Sequence, residues 1–403
     1  MLSNAERQFI REHFEEDVHR LLLSASRYPG ISMPVVANQI EALRKVRGKA
    51  PSWFRFDLEF PPLLSVEQAS SEAAARFKAG LFSGHSMADL TGGMGVDACF
   101  FAQQFQRVTY VEAQPDLVAL ARRNFDVLGL RNINAIQAEA EIFLQQTADS
   151  FDLLYLDPSR RAARSRRVFQ LADCRPDVPA LRDKLLETAA RVLVKTAPLL
   201  DLRLAATQLG PVARIWVVSV GQECKEVLYL LEKTAPPFEQ VPIEAVCIGP
   251  TTRSFRFTRA EENAASPVYS APQHYLYEPD AAVLKAGAFK SFATRYGLGK
   301  LHPHTHLYTS TAYTPEVPGR VFEVEQVLKY DRKAVQKALP EGRAQVTARN
   351  FPDTVEKIRK KLGLEEGGDR YLFGATGATG RLLLICCRRA LDITGAGPPS
   401  LHA

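Results

Sequence analysis

A glycine-rich turn and three acidic residues are the parts of this sequence whose types and spacing could do chemistry. The turn spans Asp89–Asp97, reads DLTGGMGVD, and lies between a short apolar stretch and a helical pattern. Three glycines in four positions are costly in chain entropy, and the usual reason to accept that cost is a ligand that approaches the backbone closely. We therefore predict a nucleotide-like cofactor at this turn; a tight loop without a ligand is the alternative.

Each of the three acidic residues follows or ends a predicted strand. Glu112 stands 23 residues after Asp89, where dinucleotide-binding folds place an acid that holds ribose hydroxyls; capping of the next helix is the alternative. Glu139 could accept a hydrogen bond from an adenine amine, or it could favour the dipole of the next helix. Asp157 opens the stretch Asp157–Arg161, DPSRR, and would face whatever binds beside the cofactor, unless the Asp-Pro pair only makes a turn.

Basic residues gather near the same predicted strand end. Five arginines follow Asp157 closely: Arg160, Arg161, Arg164, Arg166 and Arg167. Such a run is usually a solvated loop, but because this one starts at the predicted site it could contact phosphate groups. Lys195 ends the fifth predicted strand and could reach the substrate; an ordinary surface lysine is the alternative.

Alternating apolar patterns predict the elements that position these residues. The seven predicted strands are Met87–Thr91, Arg107–Glu112, Ile133–Gln137, Phe151–Asp157, Arg191–Thr196, Arg214–Val220 and Glu226–Glu232. Helices lie between the first six, and a helix that opens at Ser65 and continues to Ala79 precedes them. The turn before the last strand is too short for a parallel crossover, so the last two strands should pair antiparallel. The predicted fold class is α/β, a doubly wound seven-stranded sheet with an antiparallel last strand.

Composition places the chain among ordinary globular proteins. The 403 residues are 46% hydrophobic and 24% charged, and the formal net charge is +6, which is compatible with an anionic partner such as RNA without requiring one. The six cysteines show no C-x-x-C spacing, and the alternating His302, His304 and His306 have no acids or cysteines nearby, so we predict no metal site. The absence of a long apolar run predicts no membrane span, and we expect reduced thiols in the cytoplasm.

The motifs together resemble those of the class I S-adenosylmethionine-dependent methyltransferases. The turn Asp89–Asp97, Glu112, Glu139 and the pair Asp157–Pro158 match that class in order and spacing. Further blocks extend the resemblance over almost the whole chain, to bacterial methyltransferase-like proteins with a C-terminal THUMP-like domain. These blocks are EQASSEAAARFKA, DPSRR, KTAPLLD, ECKEVL, YEPDAAVLKAGAFK, LHPHTHLYTS, VPGRVFEV and ARNFP.

This resemblance implies a domain order. The expected segments are a helical N-terminal segment at 1–80, a methyltransferase core at 81–240, a connecting hairpin with a small ferredoxin-like piece at 241–316, a THUMP-like α+β domain at 317–390 and a tail at 391–403. The Gly-Pro composition of the tail predicts disorder.

The resemblance also implies roles for individual residues. The residues expected to hold S-adenosylmethionine are Asp89, Thr91, Gly93, Gly95, Glu112, Ala113 and Glu139. The residues expected at the reaction centre are Asp157, Pro158 and Arg160, and those expected to bind substrate are Ser159, Arg161 and Lys195. Amino-methylating relatives carry Asp/Asn-Pro-Pro-aromatic at this place. Here Ser159 replaces the second proline and Arg160 the aromatic ring, although an arginine plane can also stack on a base.

THUMP domains are RNA-binding modules of tRNA-modifying enzymes, so the resemblance implies a methyltransferase that acts on rRNA or tRNA. Three C-terminal residues could touch RNA or make only local contacts: Arg320, Arg349 and Asn350. Two other hypotheses stay open. One is a methyltransferase of a protein or a small molecule, and the other is an RNA-binding relative that has lost catalysis.

Overall fold

The computed structural model describes residues 2–160 and 171–390. The predicted substrate residue Arg161 and the predicted tail at 391–403 lie outside these ranges. The chain divides into two compact units, which are Met1–Ile215 with Lys225–Val241, and Trp216–Cys224 with Pro242–Ala403. None of the described helices is long and apolar enough to cross a membrane.

The N-terminal segment of the first unit is a series of short helices. They are α1 (Asn4–Glu12), α2 (Val18–Leu23), α3 (Met33–Lys49), α4 (Leu63–Gln68) and α5 (Glu72–Gly80). The prediction of one helix from Ser65 to Ala79 is wrong, because Ala69 is extended and the Ser71 side chain caps a new helix by accepting a hydrogen bond from Ala74 N. Serine favours such a cap over a helix interior because its hydroxyl binds nearby backbone groups.

Alternating strands and helices follow in the first unit. They are β1 (Gly84–Asp89), α6 (Val96–Phe101), β2 (Phe105–Glu112), α7 (Pro115–Val127), β3 (Ile133–Gln137), α8 (Ala140–Gln146), β4 (Leu153–Leu156), β5 (Ser159–Arg160), β6 (Cys174–Arg175), α9 (Val178–Thr188), β7 (Val192–Thr196), α10 (Leu202–Leu209), β8 (Val212–Val220) and β9 (Glu223–Leu231). Only residues 212–215 of β8 belong to this unit.

Seven neighbouring strands of a nine-stranded sheet follow the order β3-β2-β1-β4-β7-β9-β8. The first five of these strands pair in parallel, and β9 runs antiparallel to β7. Gly221 and Gln222 both have positive φ, the backbone of the two-residue turn that joins antiparallel neighbours. The predicted fold class is confirmed. Because the parallel strands end at one edge, Asp89, Glu112 and the residue after β4, Asp157, are brought to the same side of the sheet.

One asparagine attaches the N-terminal segment to the sheet layer. Asn124, on α7, is fully buried; its Nδ2 donates to the Glu59 carbonyl at 2.8 Å and its Oδ1 accepts from Glu59 N at 3.1 Å. The Glu59 carboxylate in turn accepts hydrogen bonds from Leu2 N at 3.1 Å and from Arg123 Nε at 3.0 Å. These hydrogen bonds satisfy buried backbone groups that no regular element of the segment satisfies.

The second unit consists of a small hairpin and a larger sheet with helices. Its elements are β10 (Ile243–Ile248), β11 (Arg253–Phe257), α11 (Arg259–Ala264), β12 (Tyr275–Pro279), α12 (Ala281–Ala286), α13 (Lys290–Tyr296), β13 (Gly299–His302), β14 (Thr305–Ser310), β15 (Gly319–Leu328), α14 (Arg332–Ala338), β16 (Gln345–Arg349), α15 (Val355–Leu362), β17 (Arg370–Thr376) and β18 (Leu382–Arg389).

The larger sheet of this unit has seven strands, in the order β13-β14-β12-β15-β18-β17-β16. Helices α14 and α15 bury Val335, Ile358 and Leu362 in a core cluster with Leu372 and Leu384 of the sheet. Four strands, β15 to β18, and the helices α14 and α15 give this part of the chain the predicted α+β character.

We expect Asn124→Ala to lower the free energy of unfolding by about 2–4 kcal/mol, because two buried backbone groups of Glu59 would lose their partner. Urea unfolding followed by the fluorescence of Trp53, in a Trp216→Phe background, would measure the change in the first unit. Asn134→Ala, at an exposed position on β3, is the matched control and should change stability by under about 0.5 kcal/mol. Equal effects of the two substitutions would contradict this account.

Candidate active site

The three glycines of the turn after β1 are needed for different physical reasons. A Cβ on Gly92 would lie 2.2 Å from the Tyr110 ring, and one on Gly95, whose φ is +91°, would lie 2.8 Å from the Phe125 ring. A Cβ on Gly93, whose φ is +52°, would meet a single protein atom, at 3.8 Å. Gly92 and Gly95 therefore permit close packing of the turn, whereas Gly93 leaves open space that a ligand can occupy.

The Glu112 carboxylate fastens this turn to the end of β2. Its Oε2 accepts a hydrogen bond from Gly93 N at 3.0 Å, and its Oε1 accepts one from Gln114 N at 2.9 Å. The Tyr110 hydroxyl donates to the Gly93 carbonyl at 2.6 Å. Each carboxylate oxygen can accept more than one hydrogen bond, so Glu112 can hold the turn and still accept from the hydroxyl groups of a ligand.

A cavity of about 720 Å³ lies over the turn and the neighbouring strand ends. The predicted site residues that line it are Thr91, Gly93, Gly95, Glu112, Ala113, Glu139, Asp157 and Ser159. Asp89, Pro158 and Lys195 are not among its lining residues. The Asp89 side chain is buried beneath the turn, where its Oδ1 accepts from Thr91 N at 3.0 Å. Burial and the nearby carboxylates of Asp97, Asp157 and Glu112 raise the pKa of Asp89 well above its usual value.

The structure pairs two residues that the sequence placed separately, Asp157 and Lys195. The Lys195 ammonium donates to Asp157 Oδ2 at 2.5 Å, and Asp157 N donates to the Thr91 hydroxyl at 2.7 Å. Burial alone would lower the pKa of Lys195, but the carboxylates of Asp157, Glu226 and Asp97 outweigh burial and raise it. Lys195 is therefore a cation that holds Asp157 at the edge of the cavity.

A second buried lysine, Lys78 on α5, lies behind the cavity and is fully inaccessible to solvent. Its ammonium lies 2.8 Å from Glu226 Oε2 on β9 and 3.2 Å from Asp97 Oδ1 at the start of α6. It also donates to the Ser70 hydroxyl at 3.1 Å, and that hydroxyl donates to Asp97 Oδ2 at 2.7 Å. Lys195 reaches the same hydroxyl at 3.3 Å, so one network of charges joins the N-terminal segment to the site.

The electrostatics of Asp97 follow from this network. Burial alone would raise its pKa, but Lys78, Lys195 and the hydroxyl groups of Ser70 and Tyr155 outweigh burial and hold the pKa below its usual value. Asp97 therefore stays ionised at neutral pH, in a site where an isolated carboxylate would take up a proton.

Sequence reasoning missed the contribution of the N-terminal segment to the cavity. Ser65, Gln68, Ala69 and Ser70 all line it, and none of them was a predicted site residue. The available signal was the Ser70–Ser71 pair inside a helical pattern, which is unfavourable in a helix interior and typical of a cap or a polar contact.

Glu139 is the N-cap residue of α8, but its side chain accepts no hydrogen bond from the described backbone of that helix. It is exposed and lines the cavity. Its carboxylate can therefore accept a hydrogen bond from a ligand, as its predicted contact with an adenine amine requires.

The three alternating histidines do not share one strand. His302 ends β13 and His306 lies on β14, with a tight turn between the two strands. His306 stacks on Phe289 with ring centroids 3.7 Å apart. Within residues 2–160 and 171–390, there is no group of three His, Cys, Asp or Glu side chains that could hold a metal ion.

Comparison with known proteins identifies the family. A family model described as a ferredoxin-like domain matches residues 275–318, and one described as THUMP domain-like matches residues 319–389. The crystal structure of a "putative methyltransferase from Porphyromonas gingivalis W83" is 32% identical and has a TM-score of 0.86, covering 96% of this chain and 98% of that one. The chain belongs to the class I S-adenosylmethionine-dependent methyltransferases with a C-terminal THUMP-like domain.

More distant relatives agree with this assignment. Two proteins from Mycobacterium tuberculosis strains, each named an uncharacterized S-adenosylmethionine-dependent methyltransferase, are 25% identical over 303 residues, or 74% of this chain and 80% of theirs. The cofactor of this methyltransferase is S-adenosylmethionine. The cavity fits it, because the space over Gly93 is open and the carboxylates of Glu112 and Glu139 border the same space.

We expect Gly93→Ala to weaken S-adenosylmethionine binding at least tenfold, or about 1.4 kcal/mol, because the added methyl group would enter the space over the turn. Isothermal titration calorimetry would measure the affinity. Gly129→Ala is the matched control, since Gly129 also has a positive φ, +72°, with no atom within 4 Å of the added Cβ. It imposes similar backbone strain away from the cavity and should leave the affinity unchanged; the same affinity in both variants would refute the role of Gly93.

Proposed function

We propose that this methyltransferase acts in the cytoplasm on RNA, either rRNA or tRNA. The observation that carries the proposal is the position of the positive charge in the chain. Residues 319–389 hold fifteen Lys and Arg against nine Asp and Glu, a net charge of +6 that equals the formal net charge of the whole chain. The rest of the chain balances its charges, so the excess belongs to the THUMP-like domain. Such an excess favours a polyanion, because phosphates attract Lys and Arg whatever the base sequence.

Two helices of the domain present much of this charge. Helices α14 and α15 contact each other and pack on the same core cluster. Their exposed basic residues are Arg332, Lys333, Lys337, Lys357, Lys360 and Lys361. Lys361 pairs with Asp353, whereas among the described residues the lysines at 333, 337, 357 and 360 form no salt bridge. We call these exposed side chains the basic helix face, and we propose that it contacts RNA phosphates.

The proposed chemistry centres on Asp157. S-adenosylmethionine supplies an electrophilic methyl group. The protein has to align a nucleophile with that group, exclude water and accept the proton that the nucleophile loses. Lys195 binds Asp157 Oδ2, and among the described residues none donates to Oδ1. We propose that Oδ1 accepts a hydrogen bond from the N–H or O–H group of the target. This hydrogen bond would orient the lone pair of the target's nucleophilic atom toward the cavity.

Ser159 lines the same cavity and follows Asp157 by two residues, so we propose that its hydroxyl contacts the target base. Pro158 and Arg160 flank Ser159 in the same stretch of chain, so we propose that they too lie at the reaction centre. Both N–H and O–H targets suit this arrangement, since a carboxylate oxygen accepts equally from both.

We expect Asp157→Ala to abolish methyl transfer to RNA while changing S-adenosylmethionine affinity by less than tenfold, because the carboxylate faces the nucleophile. Transfer of labelled methyl groups to rRNA and tRNA from a strain that lacks this protein would test it, with nucleoside mass spectrometry to identify the product. Asp183→Ala, at an exposed position on α9, is the control and should retain full transfer. Labelling of protein or small molecules, with none in RNA, would overturn the proposed substrate.

Charge reversal on the basic helix face tests the proposed RNA contact. We expect Lys333→Glu with Lys357→Glu to weaken RNA binding about tenfold or more, and to reduce the dependence of log Kd on log salt by about 0.7–0.9 for each lost phosphate contact. S-adenosylmethionine affinity should not change. Lys184→Glu with Lys233→Glu, an equal reversal of two exposed charges in the first unit, is the control. An equal loss in that control would show that net charge, and not this face, determines RNA affinity.

A further inference from the structure

A buried lysine builds the turn between β13 and β14. Lys300 is fully buried, and its ammonium donates to the carbonyl oxygens of His302 at 2.6 Å, Pro303 at 2.9 Å and Thr305 at 2.9 Å. Burial of an ammonium group is costly, and these three hydrogen bonds compensate part of that cost while they fix the path of the turn. Three carbonyl groups face inward, and His304 is exposed on the outer side.

A strained asparagine joins this turn to the other edge of the sheet. Asn350, directly after β16, has a φ of +51°, in the left-handed region that residues other than glycine rarely adopt. Its carbonyl accepts from the Thr376 hydroxyl, and its side-chain Nδ2 donates to the Thr305 hydroxyl at 3.2 Å. Since β13 and β16 are the two outermost strands of the sheet, the sheet curls until its edges meet at this point.

The contacts of His302 determine which of its nitrogens carries the proton. Nδ1 lies 3.1 Å from His304 N and 3.3 Å from Asn350 Nδ2, both of which are donors. In the neutral ring Nδ1 is therefore the acceptor and Nε2 carries the hydrogen. Among the described residues nothing accepts from Nε2, so His302 presents a free N–H donor.

The surroundings of the turn are electropositive. Arg320 and Arg349 both bind the buried carboxylate of Glu278, and the buried Nε of Arg349 has no hydrogen-bond partner among the described residues. Burial, together with the charges of Lys300, His304 and Arg349, lowers the pKa of His306 to about 4. Two guanidinium groups thus share the single carboxylate of Glu278, which leaves an excess of positive charge at this pair.

We propose that this cluster, defined by His302, His304, Arg349 and Asn350, binds a phosphate group of the RNA backbone. His302 Nε2 and the partly exposed guanidinium group of Arg349 are N–H donors that suit a phosphate. Asn350 uses its two amide hydrogens on the Thr305 hydroxyl and on His302 Nδ1, so it holds the His302 ring in place. The cluster lies in the unit that carries the excess positive charge, which favours a polynucleotide over an acidic protein. The inference rests on the proposed function, because it assumes an RNA substrate.

The test uses the full-length protein with two kinds of variant. The donor variant, His302→Ala with Asn350→Gly, removes the imidazole donor and the amide that positions it but no formal charge, and glycine keeps the left-handed backbone at position 350. Arg349→Gln removes one charge and leaves Arg320 on Glu278. The matched control is Arg388→Gln, which removes one charge from an exposed salt bridge with Glu323 in the same domain. Thermal unfolding and S-adenosylmethionine affinity monitor folding in every variant.

RNA affinity is measured at several salt concentrations, with bulk tRNA and with a mixed-sequence RNA of about 20 nucleotides as probes. We expect the donor variant to bind about tenfold more weakly with an unchanged salt slope. Arg349→Gln should reduce the slope by about 0.7–0.9, and the Arg388→Gln control should change neither quantity by more than about twofold.

Wild-type affinity in the donor variant and in Arg349→Gln, with RNA binding by the wild type intact, would overturn this inference and leave the proposed function standing. No RNA binding by the wild type at low salt would overturn both. Titration with inorganic phosphate separates a second source of the ligand: phosphate binding that the donor variant loses, with no change in RNA affinity, would assign the cluster to free phosphate. Displacement of RNA by polyglutamate at equal charge concentration would contradict a phosphate site.

Discussion

The buried ammonium group of Lys78 is the interaction on which the rest of the active site depends. It binds Glu226 on β9, Asp97 at the start of α6 and the Ser70 hydroxyl, so it fixes an N-terminal helix, the end of the glycine turn and the last strand relative to one another. Two buried carboxylates without this cation would repel each other, and loss of one partner from such a network costs about 3–5 kcal/mol. A well-packed apolar replacement could be equally stable; what the charges add is a defined geometry.

That geometry reaches the cavity through Ser70. Its hydroxyl accepts hydrogen bonds from Lys78 and Lys195 and donates one to Asp97. The segment that contains Ser70 therefore belongs both to the charge network and to the wall of the cavity. Asp157, at the other end of the network, is held by Lys195 and by the Thr91 hydroxyl. The glycine turn and the strand ends therefore form only part of the cavity wall, and the N-terminal helices complete it. A methyltransferase core without that segment would lack both one wall of the cavity and the partner of Glu226.

The second unit follows a different principle. Its seven-stranded sheet curls until the β13–β14 turn and the end of β16 meet through Thr305, Asn350 and Thr376. The interior of the curl holds an apolar cluster that includes Leu276, Phe322 and Phe373, so hydrophobic burial brings the two edges together. The polar residues at the closure and the lysines of α14 and α15 then lie on a domain whose net charge is strongly positive, and both features suit a polyanionic substrate.

The amino-acid sequence by itself determined the order of the main strands and helices of the sheet layer, the glycine turn, and the placement of Glu112 and Asp157 at one edge of the sheet. These depend on local periodicity and on the rule that parallel strands end on the same side, and both can be read from neighbouring residues. The sequence did not determine the break between α4 and α5 or the short strands β5 and β6. Only the tertiary structure decided that Lys78 meets Glu226 across 148 residues and that Lys195 meets Asp157 across 38. It also decided that His302 and Asn350 come together from opposite edges of one sheet. Such pairs leave no signal in the neighbouring sequence, because strand order determines which distant residues meet. A buried charge or donor must then be paired with a group that can lie far away in the sequence.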